Sequence, residues 1–305
     1  MTRWIELKRD YRMNRGLYYI MIPIVVYTII FSYVPMYGQI LSFLKYTPKN
    51  GVFFSEWVGL KHFITFFSSQ FFGRVMKNTI ILSMYNLIFG FPAPIIYAIL
   101  LNELENEYFK KVIQVVSYMP NFISSVVICG IIIDFVSTKG IVTQFLVKIG
   151  FLENATNLLS LPGYFRGIMV LSDLWQGTGF GSILYLATLS GIDQELYEAA
   201  LIDGAGRWKQ TTNVTIPGIM PTITIMLIMR ISSLLMANME KIILLYNPLI
   251  YETADVIGSY VYRKGLLEGD YGYSSAVGLF NSIIGLILMV VANGVSRKYG
   301  ETSLF

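Results

Sequence analysis

The side chains of this chain that are best able to do chemistry are polar groups placed inside long apolar runs. Asp173 and Gln176 are three positions apart, so they share one face of a helix. Trp175 stands beside Gln176, and an aromatic face next to an amide can hold a sugar ring, although tryptophan serves equally as packing. The other residues of this kind are Asn121, Arg230, Asn238, Glu240 and Asn281. As a set they favour contact with a polar solute. The alternative is that they only join neighbouring helices, through bonds that average about 0.6 kcal/mol.

No combination of residues in the sequence is typical of catalysis or of a metal site. The chain has one histidine, His62, and one cysteine, Cys129, which excludes a disulfide within the chain and a histidine–cysteine metal cluster. It also lacks the G-x-x-x-x-G-K-[ST] loop that binds nucleotide phosphates. We therefore predict no catalytic site, no metal and no cofactor in this chain.

The elements that must position the polar residues are membrane helices. Of the 305 residues, 54% are hydrophobic and only 14% are charged, and the mean hydropathy is +0.58. A helix needs about 20 apolar residues to cross a bilayer. Runs without charge cover 16–44, 78–102, 112–133, 174–192 and 271–296, and a sixth apolar run, 216–239, is interrupted only by Arg230. We predict an all-α membrane protein whose six transmembrane helices lie near 17–38, 78–101, 112–135, 166–190, 217–240 and 273–296.

Basic residues crowd the segment before the first predicted span, and they set the predicted orientation. They are Arg3, Lys8, Arg9, Arg12 and Arg15. Because positive residues favour the cytoplasmic side, we expect both tails, 1–16 and 297–305, in the cytoplasm of a cell that carries this multi-pass protein in its inner or plasma membrane. Lys and Arg are evenly divided over the loops as a whole, so the N-terminal cluster decides. The net charge of +4 does not indicate nucleic acid as a partner.

Helix breakers and aromatic residues add two further expectations. Prolines in the first three predicted spans remove backbone donors that lipid cannot replace, which favours a bent, cavity-bearing bundle; they are Pro23, Pro35, Pro92, Pro94 and Pro120. The aromatic-rich segment 53–72 predicts an amphipathic helix lying in the outer interface. Docking of an external partner is the alternative for that segment.

The polar loop 191–216 between the fourth and fifth predicted spans has the pattern of a short capped helix. Asp193 can cap a helix that begins at Gln194, and Gly204 is a natural stop. A second helical leg follows, and Pro217 is expected to start the fifth span. Taken by itself this elbow suits docking into a groove on another protein, or it is an ordinary amphipathic loop.

Residues 198–217 resemble the EAA-x3-G-x9-I-x-L-P signature of permease subunits in binding-protein-dependent ABC importers of the MalF/MalG-like carbohydrate group. The match runs from Glu198-Ala199-Ala200 through Gly204 to Val214-Thr215-Ile216-Pro217, with Val and Ile at the two apolar positions of the tail. The resemblance implies that the loop is the cytoplasmic coupling helix. Its contacts with the ATPase would come from Glu198, Ala199, Ala200, Asp203, Gly204 and Pro217.

Further motifs resemble the LplB-like branch of this group, which is linked to oligosaccharide and polysaccharide uptake, uronate-containing glycans included. They are Asn14-Arg15-Gly16, Pro35-Met36-Tyr37-Gly38, Trp57-Val58-Gly59-Leu60, Lys77-Asn78-Thr79 and Tyr118-Met119-Pro120-Asn121-Phe122-Ile123-Ser124.

The resemblance implies three kinds of protein partner, four subunits in all, besides lipid and the carbohydrate. They are a second homologous permease, two ATPase subunits that bind ATP and Mg, and an extracellular binding protein. Transport would proceed by alternating access. Three alternatives stay open: a permease for a peptide or another polar solute, an ion-coupled secondary transporter using Asp173 and Arg230, and a non-transporting membrane scaffold.

Overall fold

The structure, a computed structural model, describes residues 9–11, 13–235 and 238–299, and these residues are mostly helical. Arg3, Lys8 and Arg12 of the orientation argument, residues 236–237 of the fifth predicted span, and 300–305 of the C-terminal tail lie outside the described residues. The helices are α1 Arg15–Phe43, α2 Lys61–Phe67, α3 Phe72–Asn102, α4 Glu107–Tyr118, α5 Ser125–Val136, α6 Ile141–Lys148, α7 Pro162–Gly181, α8 Ile183–Leu189, α9 Gln194–Ile202, α10 Arg207–Ser232, α11 Met239–Leu245, α12 Tyr251–Ala254, α13 Ile257–Tyr262 and α14 Tyr271–Tyr299. Two short strands, β1 Leu44–Lys45 and β2 Glu56–Trp57, pair antiparallel.

Five helical segments in the described part of the chain are long and apolar enough to cross a membrane. They are Arg15–Phe43, Phe72–Asn102, Ser125–Lys148, Arg207–Ser232 and Tyr271–Lys298. The fourth predicted span, 166–190, is occupied by α7 and α8, which meet at Ser182 and are not among the five. The multi-pass helical architecture is therefore confirmed, and the count of six crossings stays a prediction.

The helix predicted over 112–135 is not continuous, which corrects the sequence analysis. Pro120 cannot donate a backbone hydrogen bond, and the chain forms one turn of 3₁₀ helix at Met119–Phe122 between α4 and α5. The Ser124 hydroxyl then caps α5 by accepting from the Val127 N–H at 3.4 Å. A charge-free run does not reveal such a break, because hydropathy is insensitive to backbone donors.

The helix predicted over 217–240 is also displaced, since α10 begins at Arg207 and ends at Ser232. Pro217 therefore lies inside α10 and does not start it. At the other end the Ser232 hydroxyl donates to the Met229 carbonyl at 2.7 Å, a bond that competes with the continuing helix.

Three widened π turns interrupt the long helices, and each ends two residues before a proline. The pairs are Ile29–Tyr33 with Pro35, Asn86–Gly90 with Pro92, and Thr211–Thr215 with Pro217. A proline removes one N–H and crowds the carbonyl four residues earlier. The wider turn relieves that crowding, so the helices continue past their prolines.

The aromatic segment 53–72 does not form one amphipathic helix. Its first part contributes β2, and α2 follows as a helix of 7 residues. Phe66 is fully buried in a cluster that joins α2 and α3 to α13 and α14, whereas Phe53 and Phe54 are exposed. Tertiary packing therefore buries part of the aromatic surface that the sequence pattern assigned to a membrane interface.

Two other apolar clusters hold the bundle together. One joins α3, α5 and α7 to α11 and α12 around Phe165, Met169 and Ile242. The second joins α3, α8 and α10 around Tyr185 and Ile219, close to where the chain turns into loop 191–216. No residue of the first 14 positions of α1 is buried, so this part of α1 stands outside the bundle of this single chain.

Candidate functional site

A cavity of about 700 Å³, here called the central cavity, lies between α3, α7 and α10. Five of the eight residues predicted to line a solute pathway surround it: Asn121, Asp173, Gln176, Arg230 and Asn238. The break between α4 and α5 places Asn121 there, and the shared helical face of Asp173 and Gln176 turns towards the cavity as their spacing indicated, with Gly177 next to them. Ser233, three positions after Arg230, also lines it.

The polar groups of the central cavity form one chain of hydrogen bonds. Arg230 donates through Nη2 to Asn86 Oδ1, and Asn86 Nδ2 donates to Asp173 Oδ2 at 3.3 Å. The other oxygen of Asp173, Oδ1, accepts from Lys241 Nζ at 2.6 Å and from Asn238 Nδ2 at 3.4 Å. This chain connects α10, α3, α7 and α11.

Asn86 and Lys241 are central to this network, and sequence reasoning missed both. Lys241 is fully buried, and its ammonium also lies 3.4 Å from the Ser172 hydroxyl. The signal available for Asn86 was a carboxamide within the charge-free run 78–102. Lys241 was hidden because it follows the predicted end of the fifth span by one residue.

Three of the predicted pathway residues are not brought to the central cavity. Trp175 lies on α7 and is half exposed on another side of that helix. Glu240 accepts from the Ser125 hydroxyl at 3.0 Å, beside the cavity wall. Asn281 is half-buried on α14, and its Oδ1 is a buried acceptor without a partner among the described residues.

The charges of the central cavity are unevenly compensated. The carboxylate of Asp173 forms an ion pair with Lys241, whereas the Arg230 side chain has, among the described residues, only the neutral amide of Asn86 as a partner. Arg230 is exposed, and it lines the cavity, so its guanidinium retains donors that face the space. The cavity is therefore suited to a polar ligand that carries a negative group. Among the described residues no cluster of His, Cys, Asp and Glu could hold a metal ion.

A second feature is the elbow, the segment 193–217 that contains α9 and the start of α10. The Asp193 carboxylate caps α9 by accepting from the Glu195 N–H at 3.0 Å. At its other end Gly204 has φ +73°, and the N–H groups of Gly204 and Ala205 return to the carbonyls of Leu201 and Ala200 at 3.0 and 2.9 Å. These two bonds form a Schellman motif, in which the left-handed residue is best a glycine.

The elbow is tied to the bundle by few contacts and presents its surface outwards. Tyr197 Oη lies 3.1 Å from the Thr215 hydroxyl, and Arg207 forms an exposed ion pair of 3.1 Å with Glu105. Glu198, Ala199, Asp203, Gly204 and Pro217 are exposed, and Ala200 is half-buried. Large apolar side chains next to them, Ile202 and Trp208, are 86% and 78% exposed, which is unusual for a surface without a partner.

Residues 90–300 match the family model described as "Binding-protein-dependent transport system inner membrane component". This chain belongs to that family. The match covers the second part of α3 and all of α4 to α14, and therefore includes the elbow and most of the central cavity. The MalF/MalG-like resemblance drawn from residues 198–217 is thereby confirmed at the level of the family, and the chain is a permease component of such a transport system.

This permease is similar to curated proteins over nearly its full length. It is 40% identical to protein LplB of Bacillus subtilis (strain 168) over 300 residues, which are 98% of this chain and 92% of that protein. It is 38% identical over 293 residues to the polygalacturonan/rhamnogalacturonan transport system permease protein YteP of the same organism, covering 96% of this chain and 91% of that one. The resemblance to the LplB-like branch is confirmed.

Solved structures give the same relationship in three dimensions. This permease superposes with a TM-score of 0.87 and 39% identity on a chain of a bacterial ABC transporter involved in the import of the acidic polysaccharide alginate, covering 98% of this chain and 99% of that one. A second structure of such a transporter, in complex with an alginate pentasaccharide-bound periplasmic protein, matches with a TM-score of 0.88 and 39% identity over 99% of each chain.

Proposed function

We propose that this chain is the membrane-spanning permease subunit of an ATP-driven importer that carries oligosaccharides with uronate groups into the cell. The single observation that supports an acidic substrate is the environment of Arg230: its guanidinium faces the central cavity, and within the described part of the chain its one partner is a neutral amide. Support comes from the relatives, since YteP is named for polygalacturonan and rhamnogalacturonan transport and the matched structure imports acidic alginate.

In this proposal the saccharide passes through the central cavity. Arg230 binds a uronate carboxylate, a pairing that its planar fork of donors suits better than a lysine would. Asn121 and Gln176 offer amides to the ring hydroxyls. The ion pair between Lys241 and Asp173 holds α7 against α11, so it shapes the cavity and leaves Arg230 as the binding charge.

The elbow is proposed as the coupling segment that docks on the ATPase in the cytoplasm, with Glu198, Ala199, Ala200, Asp203, Gly204 and Pro217 at or next to the contact. Its exposed apolar residues and its local caps support a preformed docking helix. The proposed assembly contains a second permease, two ATPase subunits holding ATP and Mg, and an extracellular binding protein. With six crossings both termini would lie on the same side of the membrane, and the basic residues before the first span favour the cytoplasmic side.

Conformational change then follows from differential binding. ATP binds the closed ATPase pair preferentially and shifts the population of the assembly towards that state. The elbow would transmit that closure through α10, which is one helix from Arg207 in the elbow to Arg230 in the central cavity. This continuity supports the proposal, because movement of the elbow displaces a cavity wall directly.

Uptake by the full assembly in proteoliposomes tests the function. We expect uptake of a galacturonate trisaccharide that requires ATP and falls about ten-fold in Arg230→Gln, which removes a charge-assisted hydrogen bond. Arg230→Lys should recover part of it, because the charge is kept and the fork is lost. Uptake that continues without ATP and without a co-purifying ATPase would contradict the importer and favour an ion-coupled transporter. Uptake unchanged in Arg230→Gln would remove Arg230 from the substrate contact.

A further inference from the structure

A second cavity, of about 470 Å³, lies where the N-terminal ends of α3 and α7 meet the segment before α13; we call it the basic pocket. Its lining contains no apolar side chain: it consists of Gly73, Arg74, Lys77, Asn78, Arg166, Glu252 and Thr253. It lies far from the elbow. Arg74 and Asn102 are at opposite ends of α3, about 40 Å apart at the rise of an α-helix, and the chain after Asn102 reaches Glu105, the ion-pair partner of Arg207.

The charges around the basic pocket do not balance. Behind its wall the fully buried Asp255 accepts from Arg74 at 3.0 Å and from Arg263 at 2.8 Å, both through Oδ2. Burial alone would lower the pKa of the Arg263 guanidinium, but the hydrogen bond and the charge of Asp255 raise it above its ordinary value, so Arg263 stays charged. With Lys77 and Arg166 there are four cationic side chains against Asp255 and Glu252, a formal excess of two positive charges.

Several donors of the basic pocket have no acceptor. Arg166 donates through Nη2 to Asn78 Oδ1 at 2.8 Å, yet the Nε atoms of Arg166 and Arg74 are buried and unpartnered among the described residues. Lys77 is exposed, and its ammonium has no partner within the described part of the chain. Buried donors without acceptors cost free energy, so their presence around a cavity indicates a ligand that accepts hydrogen bonds.

The pocket also lies in line with the central cavity. Arg166 and Asp173 are seven positions apart on α7, which places them on nearly the same face and about 10 Å apart along the helix. Buried Met169, which belongs to the apolar cluster around Phe165 and Ile242, lies between these two levels and separates the two cavities in this conformation.

We propose that the basic pocket is a separate binding site for the carboxylate of an acidic saccharide. The saccharide would bind there before it reaches the central cavity. Arg74, Lys77 and Arg166 bind the carboxylate, while Glu252 and Thr253 are placed to bond the ring hydroxyls. The all-polar lining favours a sugar acid over a lipid headgroup, because nothing in it can hold an acyl chain. This inference rests on the proposed function, from which it takes the chemical class of the ligand.

Protection of Lys77 from acylation tests the site in the intact transporter complex. A water-soluble amine acylating reagent is applied, and the modified lysines are quantified by mass spectrometry. We expect a galacturonate trisaccharide to slow acylation of Lys77 but not of Lys139, an exposed lysine outside the pocket. A neutral trisaccharide should give no protection, and inorganic phosphate should give less. Equal protection by phosphate or by the neutral sugar would overturn recognition of a sugar carboxylate.

Two variants separate this site from the central cavity. Lys77→Ala should weaken equilibrium binding of the acidic trisaccharide about five-fold, the effect of one partly exposed ion pair. Protection of Lys77 should persist in Arg230→Gln, because that change affects only the central cavity. Protection lost in Arg230→Gln, or binding unchanged in Lys77→Ala, would overturn the proposal while leaving ATP-driven uptake intact. If wild-type uptake does not prefer the acidic sugar, the proposed function fails instead.

Discussion

The elbow and the central cavity are joined by helix α10, which begins in the one and lines the other, yet different kinds of bond fix them. The caps of α9 join residues only two to five positions apart: Asp193 with Glu195, Gly204 with Leu201, and Ala205 with Ala200. The network of the central cavity joins residues much farther apart, 144 positions for Arg230 and Asn86 and 68 for Lys241 and Asp173. The elbow is therefore a local structure that can change without unfolding the bundle. The cavity is a tertiary structure whose bonds also hold the bundle together.

The largest expected effect on transport is that of Gly204→Asp in the elbow. A residue with a side chain at φ +73° is strained, and a new carboxylate would stand on the exposed surface proposed to dock. We expect uptake and stimulated ATP hydrolysis to be abolished while the protein still inserts in the membrane, as membrane fractionation would show. Gly206→Asp is the matched control, since Gly206 has an ordinary φ of −67° and open space around it. Surviving uptake in Gly204→Asp would refute the coupling role.

In the cavity the largest effect on stability should follow Asp173→Asn. The change leaves the fully buried Lys241 without its carboxylate, a loss that costs about 3–5 kcal/mol when a buried pair is broken. Thermal unfolding of the purified complex in detergent should show the loss. Combining Asp173→Asn with Lys241→Met should restore most of the stability, because no uncompensated charge remains. A single variant as stable as the wild type would mean that Lys241 reaches water.

A smaller effect is expected where α4 approaches α7. A Cβ atom on Gly179 would lie 2.2 Å from the Ser117 carbonyl oxygen, so Gly179→Ala must separate the two helices at a cost of about 1–3 kcal/mol. Gly177 lines the central cavity and has open space at the same position. Gly177→Ala should therefore be tolerated in the same unfolding assay. Equal effects of the two changes would argue against this packing.

The smallest effect should follow loss of the ion pair between Arg207 and Glu105, which ties the elbow to the loop after α3. Arg207 and Glu105 are 74% and 86% exposed, and such pairs contribute at most about 1 kcal/mol. A double-mutant cycle with Arg207→Ala and Glu105→Ala should give a coupling energy within that range and little loss of stability. A larger coupling would show that the elbow is held by more than its own caps.

The same contrast explains what the sequence could predict. The elbow was predicted correctly in its cap at Asp193 and its stop at Gly204, because both depend on neighbouring residues. Helical faces were also predictable, so Asp173 and Gln176 were placed together correctly. The partners across the cavity were not, since helical periodicity says which side of a helix Asn86 occupies but not which helix it meets.

Breaks in the helices were the second feature that could not be predicted from the sequence. A run of apolar residues looks the same whether or not a proline and a serine cap divide it, so the break between α4 and α5 was missed. The aromatic segment 53–72 shows the converse. Its composition suits a membrane interface, but whether Phe66 faces lipid or a neighbouring helix depends on tertiary packing.

The widened turn at Asn86–Gly90 sets the angular phase of α3. In a uniform α-helix, positions 86 and 94 point about 80° apart, since each residue advances by about 100°. Both Asn86 and Pro94 nevertheless line the central cavity, because the surplus residue of the turn takes up that angle. Deleting one residue from the turn would thus rotate the whole part of α3 that follows it relative to the cavity. A substitution, in contrast, changes one side chain and leaves the others in place.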